Sequence, residues 1–93
     1  MTNTSNIKLN SDFMLHKNEE SGDFFLINIK SGSLFQLNNT SYDFLALCDG
    51  EYSYKQILEK LSTMYSVEQC ILDADFLSLL NEWQDKEIIT PID

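Results

Sequence analysis

The side chains in this sequence that could do chemistry are few and lie far apart. His16 is the only histidine, and Cys48 and Cys70 are 22 positions apart, without the Cys-x-x-Cys spacing of a metal or redox site. His16 falls on a predicted strand and is interpreted as an ordinary strand residue, and both cysteines as buried free thiols. The three glycines stand singly at turn positions, so no phosphate-binding loop is present.

Neighbouring carboxylates are the other candidates for acid–base chemistry. They occur at Glu19–Glu20, Asp73/Asp75 and Asp85/Glu87. Such pairs catalyse only when they share a cleft, whereas these fall in a predicted loop and on exposed helix faces. The sequence therefore predicts no catalytic centre, no metal site and no cofactor.

The length and the charge of the chain exclude several classes of function. A chain of 93 residues forms one domain with one modest core, which favours binding over catalysis in a deep pocket. The sequence has 15 acidic residues but only 6 lysines and no arginine, which gives a net charge of -9. This charge disfavours nucleic acids and anionic membranes as partners. The chain lacks an apolar run of the roughly 20 residues that span a bilayer. Its polar N-terminus has no secretory pattern, which predicts a cytoplasmic protein.

The first half of the chain alternates with the period of strands. Residues 1–10 are polar and are predicted to be a flexible segment, followed by one folded domain over residues 11–93. A first strand follows Asp12, a second covers Phe24 to Lys30, and a third covers Ser33 to Leu37. Turn-forming residues separate them, which predicts a three-stranded antiparallel meander.

The second half changes to the 3.6-residue period of helices. The first predicted helix is capped by Asn39, Thr40 or Ser41, presents Tyr42, Leu45, Ala46 and Cys48 on its apolar face, and ends at Gly50. The second is capped by Ser53, the third runs from about Glu68 to Lys86, and an extended segment then stops at Pro91. The predicted fold is α+β and winged-helix-like, with a meander followed by three helices.

Two features point to a binding surface. The third strand contains no charge and no proline, the residues that prevent other strands from pairing with an edge strand. If it is an edge, an extended peptide could pair with it. The apolar arc of the last helix spans about 180°, wider than the stripe of a little over 100° that one neighbour requires. Alternatively, the strand is central or covered by a dimer partner, and a small core wraps the helix on two sides.

The order of several short motifs resembles the PqqD family, named for pyrroloquinoline-quinone biosynthesis protein D. The resemblance covers roughly residues 12 to 90. One departure is Glu87, where the family usually has a glycine that ends the last helix. The motifs are Leu34-Phe35-Gln36-Leu37-Asn38, Tyr42-Asp43-Phe44-Leu45, Asp49-Gly50, Ile57-x-x-x-Leu61, Tyr65-Ser66-Val67, and Asp75-Phe76-Leu77-Ser78-Leu79-Leu80 followed by Trp83 and Ile88.

The resemblance implies a non-catalytic adaptor that binds the leader segment of a ribosomally made precursor peptide. The leader would lie antiparallel along the third strand, in a groove beside the last helix, and be delivered to a modifying enzyme or leader peptidase. Both a lasso-type pathway with a peptidase and a cyclase and a radical maturase remain open. The implied peptide-binding residues are Ser33, Leu34, Phe35, Gln36, Leu37, Leu72, Asp75, Phe76, Leu79 and Trp83.

Two other classes of function remain as alternatives. A winged-helix transcription regulator would need basic residues on its recognition helix, and Lys86 is the only lysine in the last helix. A small structural subunit would bind an enzyme permanently through the same apolar edge. An unpaired strand also leaves the oligomeric state open between a monomer and a weak or strand-paired dimer.

Overall fold

The computed structural model describes residues 6–92, which form two antiparallel sheets and three helices. The predicted meander and the three helices are confirmed, in the predicted order, and a second sheet joins them. The elements are β1 (Asn6–Leu9), β2 (Phe13–Lys17), β3 (Phe24–Asn28), β4 (Leu34–Leu37), α1 (Asn39–Ala46), β5 (Asp49–Ser53), α2 (Tyr54–Tyr65), α3 (Gln69–Asp85) and β6 (Ile89–Ile92).

The meander has the strand order β2-β3-β4. Leu26 at its centre pairs with Leu15 on one side and Phe35 on the other, and is only 1% exposed. Because side chains alternate between the faces of a strand, these three residues share the inner face, which packs on the helices. The opposite face is open, and Leu34 on it is 63% exposed.

The second sheet, with the order β5-β1-β6, was not predicted. Its central strand β1 lies within residues 1–10, which the sequence analysis assigned to a flexible segment. The structure differs there, because Ile7 is completely buried; residues 1–5 lie outside the described residues. Strand β6 continues through Pro91, which pairs with Ile7, rather than stopping there. A proline is tolerated because β6 is an edge strand.

The boundaries of the first helix differ from the prediction. Its N-cap is Asn38, whose side chain accepts a hydrogen bond from the Ser41 backbone N–H at 2.8 Å. The helix ends at Ala46, and Gly50, predicted to end it, lies in β5 with a φ of 89°. The predicted cap of α2 is confirmed, since Ser53 forms a reciprocal capping box with the residue three positions later.

An aromatic cluster joins the helices at the centre of the core. The ring of Phe44 stacks on that of Phe76, with centroids 4.8 Å apart and planes 21° apart, and lies 5.4 Å from the Trp83 ring. Phe44 is fully buried although the predicted apolar face of α1 omitted it. Aromatic pairs at such distances add about 0.5–1.5 kcal/mol beyond the area they bury. The cluster therefore fixes which face of α3 turns inward.

Candidate functional site

Strand β4 is an edge strand. It pairs with β3 on one side, and within residues 6–92 no other strand lies on its second side. Of the two possibilities that the sequence left open for this strand, an edge and a central position, the structure shows an edge. The edge leaves main-chain donors and acceptors without strand partners, a template on which another extended segment can pair.

The hydrogen bonds of β3 show which main-chain groups are free. The Asn28 N–H donates to the Ser33 carbonyl at 2.9 Å, on the β4 side. The next N–H along, of Ile29, donates to the Asp12 carbonyl at 2.8 Å, on the β2 side. Successive residues of β3 thus point their main-chain groups alternately to its two neighbours, as in a regular antiparallel ladder.

The same alternation assigns the main-chain groups of β4. Phe35 pairs with Leu26, which lies two residues from Asn28 and therefore also faces β4. The peptide groups of Phe35 and Leu37 consequently point toward β3. Those of Leu34 and Gln36 point toward the open edge, where they are free to pair with an added strand.

A groove runs between β4 and α3. Its volume is about 310 Å³, and Phe35 on the strand wall is 43% exposed, although Leu26, its partner on the inner face, is buried. A large apolar side chain exposed beside an unpaired edge provides contacts for the side chains of an added strand. The groove is lined by Leu26, Phe35, Gln36, Leu37, Asn38, Ser41, Leu79, Glu82, Trp83, Lys86 and Ile88.

The charged groups that line this groove neutralise each other. Glu82 and Lys86 are separated by one helical turn, and the Lys86 Nζ lies 3.0 Å from the Glu82 Oε1. No acidic residue occurs between Phe24 and Tyr42, so the strand wall is free of negative charge. An otherwise acidic protein therefore has a largely apolar and electrically neutral groove.

The structure separates the residues that were expected to bind peptide. Phe35, Gln36, Leu37, Leu79 and Trp83 line the groove, although Trp83 is only 6% exposed. By contrast, the structure places Leu72 and Phe76 in the core, each 3% exposed, and Asp75 on the exposed surface of α3. Ser33 precedes β4, and Leu34 faces the opposite side of the sheet.

The wide apolar arc of α3 is partly buried in the core and partly exposed. One stripe of the helix is buried in the core, Leu79 beside it is half-buried at the groove, and Leu77 on the other flank is 51% exposed. Both interpretations of the arc thus hold in part. Glu82 and Lys86 were not among the expected residues, although their spacing of three and seven residues from Leu79 places them on the same flank.

Perturbed pKa values lie away from the groove. Burial raises the pKa of the Cys48 thiol to about 12, with the Asp49 charge adding to the effect, so this thiol stays neutral and unreactive at neutral pH. Cys70 is exposed, and its predicted burial was wrong. The pKa of Tyr65 is raised to about 12, chiefly because its hydroxyl donates a hydrogen bond to the Asp43 carboxylate.

Other kinds of site are not evident in the described part of the chain. Within residues 6–92 no three histidine, cysteine or carboxylate side chains converge as metal ligands would. None of the helices in that range combines the length and the hydropathy needed to cross a bilayer. The groove with its open strand edge is the main candidate for a binding function.

Comparison with known proteins identifies related sequences and folds. Residues 23–89 match the family described as coenzyme PQQ synthesis protein D (PqqD). No curated protein gave a significant match. The fold resembles the solution structure of the PqqD part of Methylobacterium extorquens PqqCD, described as a functional, stand-alone recognition element for ribosomally synthesised and modified peptides. The TM-score is 0.77 with 22% identity, over 96% of this chain and 93% of the other.

Two further structures share the fold. One is TbiB1 in complex with the TbiA(β) leader peptide, with a TM-score of 0.72 and 16% identity over 92% of this chain and 98% of the other. The second is lasso peptide synthetase B1 complexed with the leader peptide, with a TM-score of 0.72 and 20% identity over 94% and 100%. At these identities the likeness establishes the fold.

Proposed function

Because the chain belongs to the PqqD family, we propose that it is a non-catalytic adaptor that binds the leader segment of a ribosomally made precursor peptide. The leader adds to β4 as a fourth, antiparallel strand of the meander. The open edge of β4 beside an apolar groove is the observation that carries this proposal. The two leader-bound proteins of the same fold support it.

Binding divides between main chain and side chains. The N–H and C=O groups of Leu34 and Gln36 pair with the leader backbone, and each hydrogen bond contributes about 0.5–1.5 kcal/mol net. Alternate leader side chains enter the groove between Phe35 and Leu79. Because burying apolar surface stabilises by about 25 cal/mol per Å², these side chains supply affinity and also selectivity.

Delivery follows from binding. When the adaptor holds the leader, the rest of the precursor is concentrated near an enzyme that is bound to the same adaptor. The precursor then reaches this enzyme by an intramolecular step instead of a second bimolecular encounter. The enzyme is a peptidase or cyclase of a lasso-type pathway, or a radical maturase, acting in the cytoplasm. The leader-binding form is not a dimer paired through β4, because such a dimer would occupy the edge that the leader needs.

The charge of α3 argues against the alternative of DNA binding. Lys86 is the one basic residue at this helix, and it is paired with Glu82. Protein–DNA affinity depends on cations that displace the counterions of phosphates, and this helix offers none free. A gel shift with a salt titration checks this, and we expect no salt-dependent shift of duplex DNA.

Charge substitution in the groove tests the proposal. We expect Phe35→Glu and Leu79→Glu each to weaken binding of a fluorescein-labelled leader at least tenfold, because an unpaired carboxylate is desolvated when the leader closes the groove. The matched control is Leu77→Glu, which places the same charge on the exposed opposite flank of α3 and should bind as the wild type does.

Fluorescence polarisation with purified protein and leader alone measures the affinities, and circular dichroism checks that each variant is folded. Equal affinity of folded Phe35→Glu, Leu79→Glu and wild-type protein for the leader would remove the groove assignment. Failure of the wild type to bind leader without an enzyme would instead favour a permanent structural subunit.

A further inference from the structure

The groove has a polar end, where β4 runs directly into α1. Leu37 ends the strand and Asn38 caps the helix, and both line the groove together with Ser41. The first turn of α1 contains no acidic residue, so nothing there compensates the partial positive charge of a helix N-terminus. Glu82 lines the same groove but is paired with Lys86. This end of the groove therefore favours a negatively charged group, although the protein as a whole is acidic.

The side chain of Ser41 lies at this end of the groove without a partner. Ser41 is only 6% exposed, and its Oγ forms no hydrogen bond with any of residues 6–92. In that range the Gln69 Nε2 is the only unpartnered side-chain polar atom that is completely enclosed, so the Ser41 hydroxyl is open to the groove that it lines. Buried hydroxyls normally have a hydrogen-bond partner. An unpartnered one that faces a groove indicates a polar group of a ligand.

The unpartnered groups at this end are hydrogen-bond donors. The Asn38 Oδ1 already accepts from the Ser41 N–H at 2.8 Å and from the Thr40 hydroxyl at 3.2 Å, whereas the Asn38 Nδ2 has no partner among residues 6–92. The N–H groups of Asn39 and Thr40 begin the helix, where no carbonyl of the preceding turn can accept from them. An ionised carboxylate only accepts hydrogen bonds, so it matches these donors better than a neutral or basic side chain.

The register of an added strand places one leader side chain at this end. The leader residues opposite Phe35 and Leu37 both face the groove, because side chains two apart share a face of a strand. Directly opposite side chains have Cβ atoms about 4.5–5.5 Å apart. Since the leader runs antiparallel to β4, its residue opposite Leu37 is two positions N-terminal to its residue opposite Phe35. That residue therefore lies beside the start of α1.

We propose that this end of the groove binds a carboxylate of the leader, on an aspartate or glutamate two positions N-terminal to the apolar residue that contacts Phe35. The Ser41 hydroxyl and the Asn38 Nδ2 donate to it, and the N-terminus of α1 stabilises its charge. This inference rests on the proposed function and adds a charged element to the recognised segment. The net charge of -9 repels an acidic peptide at long range, but salt screens this repulsion over about 8–10 Å, whereas the donors act at contact.

Replacing the Ser41 hydroxyl separates binding from folding. We expect Ser41→Ala to weaken binding of an acidic peptide about threefold to tenfold, as is typical of one lost hydrogen bond, and to leave peptides without the acidic residue unaffected. The hydroxyl has no partner in the free protein and alanine favours helices, so the urea midpoint of Ser41→Ala should stay the same or rise. A lower midpoint would assign the hydroxyl to the fold and overturn the proposal.

A library of random 16-residue peptides displayed on ribosomes provides the probe. It is selected in parallel on the wild type, Ser41→Ala and Ser78→Ala. The last variant is the matched control, because it removes the same hydroxyl from an exposed position of α3 that does not line the groove. We expect wild type and Ser78→Ala to enrich aspartate or glutamate two positions before an apolar residue, and Ser41→Ala to lose much of that enrichment.

A thermodynamic cycle then tests the contact directly, using one selected peptide and its Asp→Asn or Glu→Gln form against wild type and Ser41→Ala. Additive effects in the cycle, or equal acidic enrichment on all three proteins, would overturn the carboxylate site. Selection of alternating apolar residues without an acidic one overturns the inference and leaves the proposed function standing. Selection of no peptide by the wild type overturns both.

Discussion

Phe35 and Gln36 are neighbours in β4, but their main-chain groups point in opposite directions. Phe35 pairs with Leu26 and turns its peptide groups toward β3, whereas those of Gln36 face the open edge. Their side chains alternate as well, with the Phe35 ring on the inner face. One short strand thus holds the meander together through one residue and offers its edge to a ligand through the next.

Proline at position 36 separates these two roles. Proline removes the N–H that faces the open edge and leaves the β3–β4 hydrogen bonds intact, since edge strands tolerate it. We expect Gln36→Pro to weaken leader binding about twofold to tenfold, the equivalent of one hydrogen bond worth about 0.5–1.5 kcal/mol. Its free energy of unfolding should change by less than about 1 kcal/mol.

The matched variant is Phe35→Pro, which removes an N–H that points into the sheet. We expect it to lower the free energy of unfolding more than Gln36→Pro does, because it breaks a ladder hydrogen bond and deletes a large apolar side chain. Fluorescence polarisation and urea titration compare the two. Unchanged leader affinity in Gln36→Pro would show that the leader does not pair with β4.

The elements that could be predicted from the sequence are those with a local pattern. The alternation of β2, β3 and β4 and the helical period after Asn38 are each visible within one segment. The sheet β5-β1-β6 joins strands from both ends and the middle of the chain, although its strands are as long as those of the meander. Pairing between such distant segments has no local signature, so the sequence predicts a flexible segment over Ile7, which is fully buried.

The candidate site was predictable on its strand and less so on its helix. The last strand of a meander is an edge unless another strand pairs with it, and β4 is one. Because its sequence has no charge and no proline, nothing in it hinders pairing with an added strand. The flank of α3 that faces the groove depends on where Phe44 packs against Phe76, which is a tertiary contact. For this reason the expected site included Leu72, which lies in the core, and omitted Glu82 at the groove.

The backbone conformation of Glu87, just after α3, predicts a stabilising substitution. Glu87, two residues after α3, adopts a φ of 59°, in the left-handed region that costs residues with a Cβ about 1–2 kcal/mol. We expect Glu87→Gly to raise the free energy of unfolding by about 0.5–1 kcal/mol, because relief of this strain exceeds the entropy that glycine adds to the unfolded chain. Urea titration measures the change.

Two controls isolate the backbone effect at this helix end. Glu87→Gln removes the same charge without relieving the backbone, and should be less stabilising than glycine. Lys86→Gly places glycine at a residue with a φ of -86°, where we expect a loss of stability. If glycine and glutamine at position 87 were equally stabilising, the gain would come from charge alone.

The hydrogen bond between Tyr65 and Asp43 predicts a loss of stability at high pH. The carboxylate raises the pKa of Tyr65 to about 12 in the folded protein, against about 10 in an unfolded chain. Because the folded pKa is the higher one, the stabilisation is complete below about pH 10 and is lost as the pH rises toward 12. Tyr54, whose pKa is raised by burial and by its bond to Asp73, acts in the same direction.

We therefore expect Tyr65→Phe to be less stable than the wild type at pH 8, by about 0.5–1.5 kcal/mol for the lost hydrogen bond, and to approach it by pH 12. Urea titrations at pH 8, 10 and 11.5 measure the difference, in which the deprotonation of lysines common to both proteins cancels. Tyr52→Phe is the control, because the Tyr52 ring packs under Lys60 and its hydroxyl has no hydrogen-bond partner among the described residues. A pH-independent difference between Tyr65→Phe and the wild type would contradict the raised pKa, because it would mean that Tyr65 has the same pKa in the folded and unfolded chains.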